Sequence, residues 1–217
     1  GNMVVEENKK KSYDVYCLMQ FMSFLMSSVA ITVTYLVIND LINVWLGEKF
    51  VLEQLVSFAI VLNMYFSVVL MPIWSYREAT GMYLQTKYVM VATAVVNLVV
   101  SVILGKMIGL AGILFATSIA RISTYFWYEP KLLFEQFFGK RVWNYYKDII
   151  KNIVVTFTVA TICSLVFQKF VVISWGDFFF KAVSVSICAL ILTIVLYCKD
   201  PSFRVIMSMT TGLLKRV

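Results

Sequence analysis

The chain has 217 residues, of which 61% are apolar and only 14% are charged, and its mean hydropathy is +0.84. Soluble domains carry about 25% charged residues, so this composition excludes an ordinary soluble domain. A net charge of +7 would suggest a nucleic-acid partner in a soluble chain. Here the basic residues lie between apolar runs, so they report membrane orientation and no nucleic-acid partner is expected.

Six apolar runs follow one another along the chain, each long enough to cross a bilayer core, which takes about 20 residues. They are Tyr16–Ile38, Gln54–Trp74, Tyr88–Leu104, Gly109–Tyr128, Ile153–Ile173 and Phe178–Cys198. Strands of a membrane barrel need only about 9–11 residues. The sequence therefore predicts an all-α integral membrane protein with six transmembrane helices, a charged lead-in at residues 1–15 and a tail at 199–217.

Basic residues are distributed unequally between the connections. Fourteen of the nineteen lie in the lead-in, the second and fourth connections and the tail, whereas four (Lys49, Lys106, Lys169 and Lys181) lie in or beside the other connections. Loops rich in lysine and arginine stay in the cytoplasm. We therefore expect both termini to be cytoplasmic, and we expect Lys169 and Lys181 to extend toward the opposite interface.

The connection at residues 129–151 is predicted to be a cytoplasmic amphipathic linker. Within it, aromatic and aliphatic side chains alternate with Lys140, Arg141 and Lys147. This pattern favours a helix lying on the anionic inner leaflet. The alternative is a basic loop without helical structure. Pro130, just after an aromatic cluster, is expected to end the preceding helix.

Enzymatic chemistry has little support in this sequence. Histidine is absent, which removes the commonest general base and metal ligand. The twelve acidic residues lie in loops or at helix ends, so no pair of carboxylates is embedded at helical spacing. We predict no enzyme activity, no cofactor and no metal site.

Polar side chains form stripes on four of the apolar runs. Arg121 lies inside the fourth run and shares a face with Thr117 and Thr124, while Asn97 lies on the third run and Asn63 on the second. These five residues are the candidate substrate-binding set, because adjacent polar faces indicate a shared polar cavity. The alternatives are that the polar groups pin helices together and that Arg121 is an interfacial anchor.

A second stripe on the fourth run consists of Gly112, Ala116 and Ala120. Small residues at four-residue spacing let helix backbones approach closely. This stripe is therefore predicted to pack against a neighbouring helix.

An ordered set of segments in this chain resembles the bacterial polysaccharide flippases, the Wzx-type transporters of O-antigen and capsule repeat units. That family belongs to the multidrug/oligosaccharidyl-lipid/polysaccharide exporter superfamily. The resemblance covers residues 1–150 and is carried by "GNMVVEENKKKSYDVY", "INDLINVWLGEKF", "YREATGMYLQTKY" and "AVVNLVVSVILGKMIGLAGILFATSIARISTYFWYEP".

The resemblance implies a two-bundle, inverted-V transporter fold around a central cavity in the bacterial inner membrane. It implies transport of an undecaprenyl-pyrophosphate-linked oligosaccharide, with a coupling cation and membrane lipids as further partners. Family members have about twice as many spans, so the chain is expected to be a C-terminal fragment whose partner is the missing N-terminal bundle. Residues 16–128 would belong to the C-terminal bundle, and 152–198 would be two peripheral helices.

Three other functions remain open at this point. One is a drug/cation antiporter of the same superfamily. Another is a membrane enzyme of cell-envelope assembly, which the missing histidine and paired carboxylates disfavour. The third is a non-transporting membrane scaffold.

Overall fold

The computed structural model describes residues 2–201 and 203, with side chains from residue 9 onward, and this part is helical without strands. The predicted tail at 199–217 lies largely outside the described residues. The helices are α1 (Asn2–Leu46), α2 (Gln54–Ala79), α3 (Tyr83–Ser123), α4 (Tyr125–Leu132), a π-helix (Leu133–Phe138), α5 (Trp143–Phe167) and α6 (Trp175–Tyr197). Within the described residues, five helical stretches are long and apolar enough to cross a membrane.

The third of these stretches folds back on itself inside α3. The backbone leaves helical geometry at Ile108, and Gly109 has a φ of 61°, a left-handed conformation that glycine adopts readily. The hydroxyls of Thr93 and Thr124 lie 2.7 Å apart, although a straight helix would separate them by about 46 Å. Residues 83–107 and 110–123 are therefore the two antiparallel arms of a hairpin.

Close approach of the two α3 arms depends on Gly112. A Cβ atom at this position would collide with the backbone carbonyl of Leu104 on the first arm. Ala116 and Ala120, one and two turns further on, are fully buried. The prediction that this stripe packs inside the protein is confirmed.

The helix connections collect at two ends of the bundle. The second arm of α3 runs parallel to α2, so the α3 reversal lies near the start of α2, beside the α1–α2 turn. At the opposite end, the Tyr76 hydroxyl near the end of α2 donates to the Ser12 carbonyl near the start of α1, at 2.7 Å. Of the basic residues assigned to one side from the sequence, those that the structure describes flank this second end.

Helix α1 is the centre of the packing, since it contacts α2, α5 and α6. Asn152 of α5 is fully buried beside it. The Asn152 amide oxygen accepts from the hydroxyls of Ser27 at 3.1 Å and Tyr65 at 2.9 Å. Its amide nitrogen donates to the Phe24 carbonyl at 3.1 Å and to the Tyr197 hydroxyl at 3.0 Å. This one side chain joins α1, α2, α5 and α6.

Pro130 does not end a helix, as the sequence had suggested, but lies inside α4. Proline lacks an N–H group and so leaves the carbonyl four residues earlier without its helical donor. That carbonyl belongs to Phe126, and the Tyr146 hydroxyl of α5 donates to it at 3.4 Å and to the Trp127 carbonyl at 3.1 Å. A tertiary contact thus replaces the missing helical bond.

The single amphipathic helix expected in the 129–151 linker is not formed. The segment divides into the end of α4, the π-helix and a turn at Gly139, whose φ is 64°. Helix α5 then begins at Trp143, ten residues before the predicted start at Ile153, and ends at Phe167 rather than Ile173.

Aromatic side chains of the π-helix pack on α1. Phe134 and Phe138 are buried, and their ring centroids lie 5.4 Å and 5.2 Å from that of Tyr16. These two rings of the predicted interfacial pattern are therefore covered by the protein itself, whereas Trp143 remains exposed.

We expect Asn152→Ala to destabilise the fold by about 2 kcal/mol, because it leaves several buried groups on three other helices without partners. Asn144→Ala changes an exposed residue near the start of the same helix and should have little effect. Thermal unfolding in detergent measures both. Equal stability of the two variants would contradict the role of Asn152.

Ala116→Leu should force α3 away from its neighbours and destabilise the protein by about 1–3 kcal/mol. Ala94→Leu makes the same change at an exposed position on the first arm of α3 and serves as the control. The measurement is folded yield and melting temperature in detergent. If both variants match wild type, close packing at Ala116 is not required.

Candidate functional site

One face of α2 lies along one face of the second α3 arm and α4. Polar and aromatic side chains meet in order along this seam: Asn63 with Ser118, Ser67 with Arg121, Trp74 with Tyr125, and Arg77 with Glu129. The α2 members are separated by four, seven and three residues, which keeps them on one helical face. We call this row of contacts the α2–α3 seam.

Arg121 crosses the seam to α2. Its Nη1 atom donates to the Asn63 backbone carbonyl at 3.0 Å and to the Ser67 hydroxyl at 2.9 Å. The guanidinium carbon also lies 6.0 Å from the centroid of the Trp74 ring, within cation–π range. The side chain is half-buried and held between helices, which differs from an anchor extended along α3 toward a membrane surface.

No carboxylate among the described residues forms an ion pair with Arg121. No described residue offers a hydrogen-bond acceptor to the Nε and Nη2 atoms of Arg121. A positive charge held between apolar helices without a counter-ion is costly. The free N–H groups form the planar fork that binds phosphate or carboxylate oxygens in pairs.

Asn63 is brought next to Arg121, as expected for the candidate site, but its side chain has structural partners. Its amide nitrogen donates to the Leu114 carbonyl at 2.7 Å, and its amide oxygen accepts from the Ser118 hydroxyl at 2.8 Å. Asn63 therefore joins α2 to α3, and it meets the guanidinium through its backbone carbonyl.

Thr117, Thr124 and Asn97 lie inside the α3 hairpin. The Asn97 amide donates to the Thr117 hydroxyl at 3.1 Å, and Thr124 pairs with Thr93. Among the described residues, no side chain of these three bonds to the Arg121 guanidinium. The structure thus gives them the helix-pinning role that was the alternative interpretation of these polar groups.

Two aromatic residues of the seam were missed from the sequence. Trp74 and Tyr125 have ring centroids 6.2 Å apart in an edge-to-face arrangement, and both are half-buried beside the guanidinium. Their helical spacing from Ser67 and Arg121 is visible in the sequence. What the sequence does not show is that these two helix faces meet.

A buried ion pair closes the end of the seam. Arg77 Nη1 lies 2.8 Å from Glu129 Oε1, and the Glu129 side chain is only 2% exposed. The sequence placed all acidic residues in loops or at helix ends, whereas Glu129 lies inside α4 and is buried within the protein.

Lys181 also has a counter-ion instead of extending to an interface. Its ammonium nitrogen lies 2.6 Å from Asp40 Oδ2, and its side chain is 11% exposed. This pair joins α6 to α1 near the bundle end opposite Glu129.

Two cavities among the described residues lie away from Arg121. One, of about 430 Å³, lies between α1, α2 and α5 and is mainly apolar. Another, of about 90 Å³, lies between α1, α5 and the end of α6. Arg121, which is half-buried between α2 and α3, lines neither of them.

A metal centre finds no support in the described residues, since no three histidine, cysteine or acidic side chains are grouped closely enough to hold an ion. No protein-family model, curated protein or solved structure matches this chain. The function is therefore inferred from the chain's own residues.

Proposed function

We propose that this chain forms the C-terminal part of a Wzx-type flippase, which moves an undecaprenyl-pyrophosphate-linked oligosaccharide across the bacterial inner membrane. The observation that carries the proposal is Arg121, a half-buried guanidinium with free N–H groups and no carboxylate partner among the described residues. A pyrophosphate supplies the paired anionic oxygens that such a group binds.

Six membrane crossings are part of this proposal. The first α3 arm, residues 83–107, would extend about 37 Å, which is long enough for a hydrocarbon core of about 30 Å. The second arm, residues 110–123, would extend about 21 Å, so its crossing also needs α4, which adds about 12 Å beyond the non-helical Thr124. With both arms crossing, the ends of the chain lie on the same side, and the distribution of basic residues makes that side cytoplasmic.

The surroundings of Arg121 suit an anionic head group that carries a sugar. Trp74 and Tyr125 present aromatic surface and polar tips next to the free guanidinium atoms. Aromatic faces attract the polarised hydrogens of a neighbouring group. The site thus combines charge recognition with an amphipathic surface.

A drug/cation antiporter of the same superfamily is the second candidate. The observation in its favour is the buried Glu129 carboxylate, because buried acidic groups in membrane helices commonly mark ion pathways. A scaffold remains the outcome if Arg121 only joins α2 to α3.

Arg121→Ala should reduce surface polysaccharide at least tenfold in cells producing the full-length protein, because a charged hydrogen-bond donor is lost. Arg121→Lys should retain part of the activity, since it keeps the charge without the fork. Surface polysaccharide is measured at matched protein levels.

Ser67→Ala is the matched control, because it removes one acceptor of Arg121 and leaves the charge. If Arg121→Ala loses surface polysaccharide while Ser67→Ala keeps a near-normal amount, the charge of Arg121 is required for transport. Normal surface polysaccharide in cells with Arg121→Ala would mean that Arg121 only joins α2 to α3.

Cysteines replacing Lys140 and Glu48 in a cysteine-free background should lie on opposite sides of the membrane. An impermeant thiol reagent added to intact cells should label position 48 and spare position 140, since the basic connection is cytoplasmic. Labelling at position 140 would contradict this orientation.

A further inference from the structure

The Arg77–Glu129 pair is incompletely hydrogen-bonded, although it is buried. Arg77 Nε and Glu129 Oε2 have no partner among the described residues, so the contact uses one bond where a guanidinium and a carboxylate can form two. The Tyr145 hydroxyl of α5 is also buried without a partner there, and it interacts electrostatically with Glu129.

Three buried polar groups without partners around one ion pair need an explanation. A purely structural joint between α2 and α4 would be more stable with a two-bond pair or with apolar side chains, because a half-satisfied buried network is unfavourable. The free carboxylate oxygen of Glu129 can accept a proton.

The segment that carries Glu129 lies between two irregular joints. Thr124, immediately before α4, has φ −126° and ψ −102°, which is not helical. The π-helix Leu133–Phe138 follows α4 directly, and such distortions often occur at functional sites. Helix α4 is thus a short segment, and the ion pair holds it to α2 together with the aromatic contact between Trp74 and Tyr125.

We propose that Glu129 is a proton-binding site, and that a proton taken up on its carboxylate breaks the ion pair and loosens the end of α4 that carries Glu129 from α2. The proton comes from water, a new O–H bond forms at Oε2, and Arg77 keeps its charge. The charged and titratable groups that interact with Glu129 are Arg77 of α2, Tyr125 of α4 and Tyr145 of α5. Glu78 of α2 and Tyr83 of α3 lie beside Arg77 on its other sides. This inference does not depend on the cargo that Arg121 meets.

Infrared difference spectra of the purified full chain in lipid nanodiscs test the proposal directly. As the pH is lowered, wild type should gain a protonated-carboxyl band that is absent from Glu129→Gln. Glu135→Gln removes an exposed carboxylate from the neighbouring π-helix and should keep the band. The proposal is overturned if no band from position 129 appears at any pH at which wild type stays folded, which would leave a structural ion pair.

Movement of α4 is tested by spin labels at Ala79 and Lys131, which are exposed near the ends of α2 and α4. In wild type the distance between the labels should change as the pH falls. Glu129→Gln mimics the neutral state and should show the low-pH distance throughout. A distance that is independent of pH in wild type would overturn the coupling to α4.

Arg77→Lys keeps a positive charge opposite Glu129 but removes the unpartnered Nε. This variant provides an alternative test if Glu129→Gln does not fold. It should shift the midpoint of the carboxyl band by at least half a pH unit, as expected when a charged neighbour loses its geometry. An unchanged midpoint would separate Glu129 from Arg77 and contradict the proposed pair. None of these readouts measures polysaccharide transport, so their failure would leave the flippase proposal standing.

Discussion

The buried amide of Asn152 is the interaction on which the helix packing depends. Hydrocarbon offers no hydrogen bonds, so polar groups inside a membrane bundle must find partners within the protein. Asn152 does this completely, with two donors to its oxygen and acceptors for both amide hydrogens. Because these partners come from three other helices, one side chain of α5 influences how α1 lies against α2, α5 and α6.

The α2–α3 seam contrasts with this satisfied centre. At its first contact, the side chains of Asn63 and Ser118 are hydrogen-bonded to each other. Arg121 and the Arg77–Glu129 pair, by contrast, keep donors and acceptors without partners among the described residues. In a low-dielectric environment such groups lower stability unless something binds to them. The proposed anion contact and the proposed proton site both lie where hydrogen bonding is incomplete.

Both sites share one helix face of α2. Ser67 and Arg77 are ten residues apart, about 15 Å along the helix, and Pro72 lies between them. Proline interrupts the helical ladder here, and the Gln20 amide of α1 donates to the nearby Val69 carbonyl at 3.1 Å. Helix α2, which presents both sites, is therefore hydrogen-bonded to α1 next to the place where Pro72 interrupts its own backbone bonding.

The sequence by itself determined the membrane class, the positions of most helices, the close-packed stripe and the place of Arg121 within an apolar run. Hydropathy and side-chain spacing are local properties, so a single chain displays them. Only the tertiary structure decided that Asn97 and Thr117 bond each other and that Glu129 is buried. It also decided that α5 begins at Trp143. These outcomes depend on which helix faces meet, and that choice is made by packing between residues far apart in the chain.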